Sequence, residues 1–109
     1  MQLIKSIVRP GKLDDVKEAL EKLNVSGITV TEVRGHGKQK GHTAVYRGKE
    51  YQVTLLPKIQ IEAVVPDDIV DAAIQAIISA AKTGEIGDGR VFVTPVTRSY
   101  KIRTGESES

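Results

Sequence analysis

The sequence predicts an α+β fold, a split sandwich with the element order βαββαβ, and three features support this prediction. Short runs rich in β-branched residues alternate with two segments whose apolar residues have helical spacing. Similar strand-to-helix junctions occur twice, at Val8-Arg9-Pro10 and at Val65-Pro66-Asp67. A long glycine-rich segment separates the two halves. Two βαβ units packed antiparallel form one sheet with both helices on the same face, a ferredoxin-like arrangement.

The elements follow from breakers and from periodicity. Pro10-Gly11 ends the first strand, Asn24 to Gly27 (24–27) ends the first helix, and Pro66 opens the second helix. The predicted strands are 3–8, 28–33, 55–65 and 91–96, and the predicted helices are 13–23 and 69–81. Residues 100–103 are expected to add a short strand, and the polar tail 105–109 is expected to be disordered.

The segment 35–51 is the least regular part of the chain. It contains four glycines and several cationic side chains, without a sustained apolar period. Long loops inside small domains are uncommon and usually serve a function. We therefore expect a long functional loop between the second and third strands.

Composition limits the possible classes of protein. A chain of 109 residues fits one domain, and 39% hydrophobic content with four aromatic residues predicts an aliphatic core. The net charge of +2 is too small to indicate a class of binding partner. The absence of cysteine excludes disulfides and thiolate metal sites. No apolar run is long enough for a membrane span, and the N-terminal residues do not resemble a signal peptide. A soluble, intracellular protein is the expectation.

Several functions find no support in the residues. His36 and His42 are the only histidines, and no carboxylate lies at a metal-ligand spacing from them, so zinc is not expected. No serine has the sequence context of a nucleophile with its base, so the chain is expected not to be an enzyme. RNA-recognition modules share this element order but stack bases on aromatic residues of their central strands. Residues 3–6 and 59–62 contain no aromatic residue, so no nucleic acid partner is expected.

The turn after the second helix is the first candidate for binding an anion. Gly87 and Gly89 can adopt backbone angles closed to other residues, so that consecutive amides converge on one point. Arg90 adds a charged, forked donor at the same place. The same residues would also suit an ordinary tight connection between a helix and a strand.

Cations elsewhere supply further candidates. Residues 35–41 follow a strand end, where backbone amides are free and lysines project, but a solvated loop would look the same. Lys58 lies on the more polar face of the third strand, where a lysine is usually solvated. Lys101 and Arg103 share one face of an extended segment, either as a phosphate site or as a charged edge that prevents aggregation.

Four segments together resemble the PII family of nitrogen-regulatory signalling proteins, and the resemblance runs from Met1 to about Glu106. The segments are 31–43 (start of the family's T-loop), 46–51 (its tip), 83–93 (its phosphate-binding B-loop) and 103–106 (its C-terminal segment). The resemblance implies a single PII-like domain over residues 1–109. Its parts would be a T-loop at about 37–55, a B-loop at about 82–90 and a C-terminal segment at about 98–109.

The resemblance also implies a non-catalytic homotrimer with nucleotide sites in the clefts between subunits. ATP and ADP would compete for these clefts, and 2-oxoglutarate would bind beside Mg-ATP. The residues implied for nucleotide binding are Ile7, Thr29, Gly35, Gly37, Lys38, Glu62, Val64, Gly87, Asp88, Gly89, Arg90, Lys101 and Arg103. Those implied for 2-oxoglutarate are Gly37, Gln39, Lys58 and Gly87, with Gln39 also as a ligand of Mg²⁺.

Partners are implied by the resemblance in the same way. The T-loop would act on an ammonium transporter and on nitrogen-metabolism enzymes or their regulators, with Arg47 contacting the partner. Tyr51 matches the tyrosine that a nucleotidylyltransferase modifies in many members. The protein would be cytoplasmic and would meet a membrane only through a transporter.

Some positions depart from the family pattern. Lys38 and Lys101 stand where arginine is frequent, and a lysine offers a point charge in place of a planar fork, which puts the preference between ATP and ADP in doubt. Lys49 removes the serine that some members phosphorylate. The alternative function is that of a diverged trimeric PII-like protein that binds a different nucleotide, an anion or a metal. Such relatives usually lack the T-loop and C-terminal motifs.

Overall fold

A four-stranded antiparallel sheet with two helices is the body of the molecule. The computed structural model describes residues 1–36, 43–46, 49–52 and 55–108. The sheet strands are β1 (Gln2–Val8), β2 (Ile28–His36), β5 (Leu55–Val65) and β6 (Arg90–Pro95), and the helices are α1 (Leu13–Glu21) and α2 (Val70–Ala81). The strand order is β2-β5-β1-β6, and every neighbouring pair is antiparallel. The predicted βαββαβ fold is confirmed.

Alternation along the central strands separates a covered sheet face from an open one. In β5 every second residue from Ile59 to Val65 is buried, and Lys58, Gln60, Glu62 and Val64 point to the opposite side. The core is aliphatic, as predicted, and consists of Ile4, Val8, Val16, Leu20, Val25, Ile59, Ile61, Ala63, Val65, Ala73, Ile77 and Ala81. The helices therefore cover one face and leave the other open.

Local signals explain where the helices begin and end. Asn24 has a φ of 61°, in the left-handed region that asparagine tolerates, and the amide of Val25 donates to the carbonyl of Leu20 at 3.0 Å. Pro66 precedes a short 3-10 turn, Asp67–Ile69, which leads into α2. Within the described residues, neither helix has the length and apolar character needed to cross a membrane.

The structure differs from the sequence-based expectations outside the sheet. Strand β2 continues to His36, three residues beyond its predicted end. Two short strands, β3 (Thr43–Tyr46) and β4 (Lys49–Gln52), pair with each other within the segment that was expected to be an irregular loop. The sequence did not predict this pairing, because pairing satisfies backbone groups without requiring an apolar period.

The C-terminal prediction is wrong in two respects. Of the predicted strand 100–103, only Tyr100 lies in a strand, as part of β7 (Ser99–Tyr100). Ser107–Glu108 (β8) pairs with β7, so the segment predicted to be a disordered tail contains a strand. Gly105 has a φ of +73°, and its amide donates to the carbonyl of Lys101 at 2.7 Å. This glycine reverses the chain where the sequence had suggested a polar tail. We call residues 99–108 the C-terminal hairpin.

Candidate functional site at the open sheet face

Strand register brings seven of the predicted site residues to the open face. Residues paired across antiparallel strands project to the same side, and the pairs include Thr29 with Glu62, Leu3 with Val64, and Ile7 with Arg90. Val33 pairs with Lys58 in the same way. The predicted site residues on the open face are therefore Ile7, Thr29, Gly35, Lys58, Glu62, Val64 and Arg90.

The turn at residues 83–90, called the glycine turn below, closes one end of this face. Gly87 and Gly89 have φ values of +100° and +102°, so both occupy the left-handed region. A Cβ atom at position 89 would overlap the carbonyl oxygen of Ile7 and lie 2.8 Å from its carbonyl carbon. Only glycine allows the turn to approach β1 this closely. The close approach of Gly89 to Ile7 therefore restricts the conformation of the turn.

Asp88 holds the glycine turn together from within. Its carboxylate accepts hydrogen bonds from the amide of Thr83 at 2.8 Å, from the amide of Gly84 at 2.9 Å and from the Thr83 hydroxyl. These bonds, the Thr83 hydroxyl first, hold the pKa of Asp88 well below its ordinary value of 3.8. The carboxylate therefore stays ionised and cross-links both ends of the turn.

Arg9 ties the glycine turn to the end of β1. Its Nε donates to the Asp88 carboxylate at 3.1 Å, and its Nη2 donates to the carbonyl of Ile86 at 2.9 Å. Sequence reasoning missed this role, because Arg9 stands in a Pro-Gly breaker segment and its partners lie 77 and 79 residues away along the chain. The only local signal is an arginine placed directly after a buried strand.

Lys58 reaches the glycine turn from the other side. Its ammonium donates to the carbonyl of Gly87 at 2.5 Å, and its Cγ would lie 3.1 Å from a Cβ at Gly35. Burial lowers the pKa of Lys58, and the positive charge of Arg9 lowers it further, whereas Asp88 acts in the opposite direction. Lys58 thus joins the end of β2 to the glycine turn.

A groove of about 390 Å³ lies beside Lys58. It is lined by Pro10, Glu32, Val33, Arg34, Pro57, Lys58 and Ile59. The groove offers room for a small polar molecule next to a partly buried cation.

Lys101 and Arg103 lie apart from this arrangement. Both are exposed in the C-terminal hairpin, and Ile102 between them is wholly exposed. Among residues 1–36 and 55–108, no hydrogen bond or ion pair joins either side chain to the glycine turn. Within one subunit, the structure therefore does not bring these two cations to Arg90.

Other predicted residues fall outside the part of the chain that the structure describes, namely Gly37, Lys38, Gln39 and Arg47. Tyr51 lies in β4, opposite Ala44. No group of three or more His, Cys, Asp or Glu that could hold a metal occurs among the residues with described positions.

Fold and site together define a small ferredoxin-like domain with a glycine turn and oriented cations at the open face of its sheet. The sequence profile described as P-II, Nitrogen regulatory protein P-II, matches residues 1–106. The Escherichia coli protein named Nitrogen regulatory protein P-II 1 is 57% identical over 108 residues, 99% of this chain and 96% of its own length. The Haemophilus influenzae and Rhizobium etli proteins named Nitrogen regulatory protein P-II are similar to the chain as well. They are 57% identical over 106 residues (97% and 95% of the two lengths) and 51% identical over 109 residues (100% and 97%).

The chain belongs to the P-II family of nitrogen regulatory proteins. The resemblance seen in the sequence is thereby confirmed, as is the expectation of a signalling protein that regulates and does not catalyse. Family membership indicates small-molecule effectors in general and regulatory contact with partners in nitrogen metabolism.

Proposed function

We propose that the protein senses ATP or ADP together with 2-oxoglutarate and transmits the result to partner proteins through residues 37–55. The nucleotide would bind in clefts between the subunits of a cytoplasmic homotrimer. Mg²⁺ would accompany ATP. The observation that carries this proposal is the glycine turn, whose fixed backbone lies at the same sheet face as Arg90 and Lys58.

The glycine turn suits a polyphosphate for physical reasons. Left-handed residues at Gly87 and Gly89 turn successive amides toward a shared point, which is the arrangement that proteins use to hold anions. Arg90 follows directly and supplies a forked, permanently charged donor. Ile7, Glu62 and Val64, on the same face, would contact the base and ribose, together with Thr29 and Gly35.

The open sheet face supports assembly into a trimer. Leu3 and Ile7 are partly buried in the single chain, while Val64 and Phe92 remain 46% and 45% exposed on the same face. Apolar side chains on an open face gain stability when a second copy covers them. In a trimer, the exposed Lys101 and Arg103 of one subunit would reach the nucleotide held by its neighbour.

The 2-oxoglutarate site would lie beside Lys58. Lys58 is already oriented by its bond to Gly87, and it would exchange that carbonyl for a ligand carboxylate. Gly37 and Gln39 would complete the site, with Gln39 offering its side-chain oxygen to Mg²⁺, an ion that prefers oxygen ligands. Lys38 would add a charge for the nucleotide phosphates.

Signal output would follow from the loop's connection to this site. Residues 37–55 begin directly after Gly35 and His36 at the end of β2 and end at the start of β5, which carries Lys58. Ligand contacts at the loop's base would therefore change the conformations open to the loop. Partners would be an ammonium transporter, contacted through Arg47, and enzymes or regulators of nitrogen metabolism. A nucleotidylyltransferase acting on Tyr51 would add a second input.

Titration calorimetry tests the proposal directly. ATP with Mg²⁺ should bind at submillimolar concentration, and 2-oxoglutarate should bind only when Mg-ATP is present. Sedimentation equilibrium should give three subunits per particle. R90M should weaken ATP binding, whereas K17M, which removes an exposed charge on α1, should not. A monomeric protein, or one that ignores ATP at millimolar concentration, would refute the proposal.

A thermal-shift panel covers the alternative of a diverged relative. Stabilisation by another nucleotide, by bicarbonate or by a divalent ion, with no response to ATP or ADP, would favour that alternative.

A further inference from the structure

Two residues outside the phosphate-binding set control the shape of the glycine turn. Arg9 and Asp88 form an ion pair with 25% and 23% of their side-chain surfaces exposed, at the junction between β1 and the turn. The pair thus lies largely beneath the turn and is not a freely solvated surface contact.

The carboxylate of Asp88 has little capacity left for a ligand. Two amides, one hydroxyl and the Arg9 guanidinium already donate to its two oxygens. A carboxylate would moreover repel a phosphate group rather than bind it. The side chain of Asp88 would therefore affect nucleotide binding by holding the conformation of the turn and not by contacting the ligand.

Arg9 is engaged in a similar manner. Its Nε and Nη2 donate to Asp88 and to the carbonyl of Ile86, the residues on either side of Gly87. The same Gly87 carbonyl accepts the hydrogen bond from Lys58. The Arg9 guanidinium therefore holds the residues before and after Gly87. The orientation of Gly87 in turn sets the direction of the turn's amides.

We propose that Arg9 and Asp88 are positioning residues for phosphate binding, which hold the glycine turn in its binding conformation without contacting the phosphates. This inference rests on the nucleotide site proposed above. Asp88 would contribute to that site through its place in the backbone, and Arg9 through Asp88 and Ile86.

The two charges make the inference sharply testable, because they are opposite. If the pair acted only through its electric field, R9M would weaken ATP binding and D88N would strengthen it. If the pair acts by positioning, both variants release the turn and both weaken binding. The sign of the D88N effect therefore separates the two explanations.

The experiment is calorimetry with Mg-ATP on the full chain at a temperature where every variant is folded. We expect R9M and D88N each to weaken ATP binding about tenfold, since each removes charge-assisted hydrogen bonds that order the turn. R9K keeps the charge but lacks the planar fork, so it should weaken binding by an intermediate factor. K17M and D71N, which remove exposed charges on the helices, serve as charge-matched controls and should bind as the unaltered protein does.

A double variant shows whether the two residues act as one unit. R9M/D88N should weaken ATP binding by less than the product of the two single effects, because the contact between Arg9 and Asp88 is already lost in either single variant. Hydrogen exchange in the absence of nucleotide should be faster at the amides of Thr83 and Gly84 in D88N, which a loss of direct phosphate contact would not produce.

The outcomes separate this inference from the function on which it rests. Unchanged ATP binding in R9M and D88N, or tighter binding in D88N, would overturn the positioning role and leave the nucleotide site intact. A loss of ATP affinity in R9M/D88N equal to the product of the two single losses would overturn it as well. An unaltered protein that binds no ATP would refute both proposals.

Discussion

The glycine turn and the C-terminal hairpin both carry cations expected at the phosphates, yet the chain holds them in opposite ways. Arg9, Lys58 and the carbonyl oxygen of Ile7 all meet the turn, so that neighbouring strands fix its conformation. In the hairpin, the hydrogen bonds after Val96 join hairpin residues to one another, as far as the described residues show. One region is held by contacts with neighbouring strands, and the other by contacts within itself.

If the proposed site is shared between subunits, this difference indicates how its residues would be divided between them. Backbone groups that must converge on a phosphate need a rigid frame, because misplacement weakens every contact at once. Long cationic side chains tolerate a looser support, since they can reorient to reach a charge. We therefore expect changes in the turn to affect both stability and binding, and changes in the hairpin to affect binding alone.

The largest effect is expected for G89A. A methyl group at this position would overlap the Ile7 carbonyl, and the φ of +102° is strained for any L side chain. The free energy of unfolding should fall by about 2–5 kcal/mol, the sum of overpacking and left-handed strain. Urea denaturation measures this loss, and calorimetry should find ATP binding abolished at millimolar concentration.

Two other glycines supply matched controls for G89A. Gly84 has a φ of +89° with open space around its Cβ position, so G84A should cost only the strain of about 1–2 kcal/mol. Gly11 also has open space and no positive φ, so G11A should change stability by less than about 0.5 kcal/mol. Equal losses in all three variants would mean that the contact with Ile7 does not set the turn.

The next effect concerns Arg90 and Arg103, which would meet at one nucleotide in the proposed trimer. R90M and R103M should each weaken ATP binding about tenfold, because each removes a charge-assisted hydrogen bond to phosphate. Both side chains are exposed, so thermal stability should change little. This behaviour would distinguish the two arginines from the framework residues of the turn.

Trimers that contain both R90M and R103M subunits test whether the glycine turn and the C-terminal hairpin of different subunits form one site. If the arginines of one site come from different subunits, every trimer containing both variants has one site with both arginines intact. Calorimetry on co-expressed, doubly tagged trimers should then detect a class of sites with the affinity of the unaltered protein. If all mixed trimers bind as weakly as the single variants, the hairpin does not reach a neighbour.

The fold was predictable because its signals are local and periodic. Alternation from Lys58 to Val65 and helical spacing from Ile69 to Ala81 give element type and the covered face directly. The ion pair between Arg9 and Asp88 was not predictable, since 79 residues separate its members. The pairing of Tyr100 with Ser107 was missed because a polar tail offers no apolar pattern.

Part of the glycine turn's geometry could be predicted from the sequence, because glycines and charged residues are visible without a structure. Gly89 was identified for its freedom of φ, which the structure confirms. That Ile7 is the group it must approach depends on the register of β1 with β6. The sequence placed Lys58 on the more polar face of its strand, but its position beside Gly35 depends on the register of β2 with β5.

A smaller effect is expected from acid, and part of it should come from the glycine turn. The pKa of Asp88 is lowered in the folded state, so the unfolded state binds more protons once the pH approaches 3.8. The stabilisation from its carboxylate is fully present above that pH and is lost as the pH falls through 3.8 toward the lower folded value. Urea denaturation between pH 3 and pH 6 should show a decline that is shallower in D88N.

Asp67 supplies the comparison for the acid experiment. Its pKa is also lowered, by hydrogen bonds from the N-terminal ammonium and from Gln2. In D88N, the free energy of unfolding should therefore still fall in acid because of Asp67. In D67N, it should still fall because of Asp88. If D88N declines as steeply as the unaltered protein, the carboxylate does not stabilise the turn.

The smallest effect is expected at alkaline pH, from Lys58. Burial and the positive charge of Arg9 lower the pKa of Lys58 in the folded state below its ordinary value of 10.5. Between the folded pKa and 10.5, the unfolded state therefore binds more protons than the folded state. The free energy of unfolding should therefore rise slightly as the pH increases through that range, and K58M should lack this rise. Lys101 is exposed in the hairpin, so K101M should retain the rise and serves as the control. A K58M curve parallel to that of K101M would show that placing the Lys58 ammonium in a partly buried position beside Arg9 costs the subunit nothing, and the turn would then differ less from the hairpin than its contacts indicate.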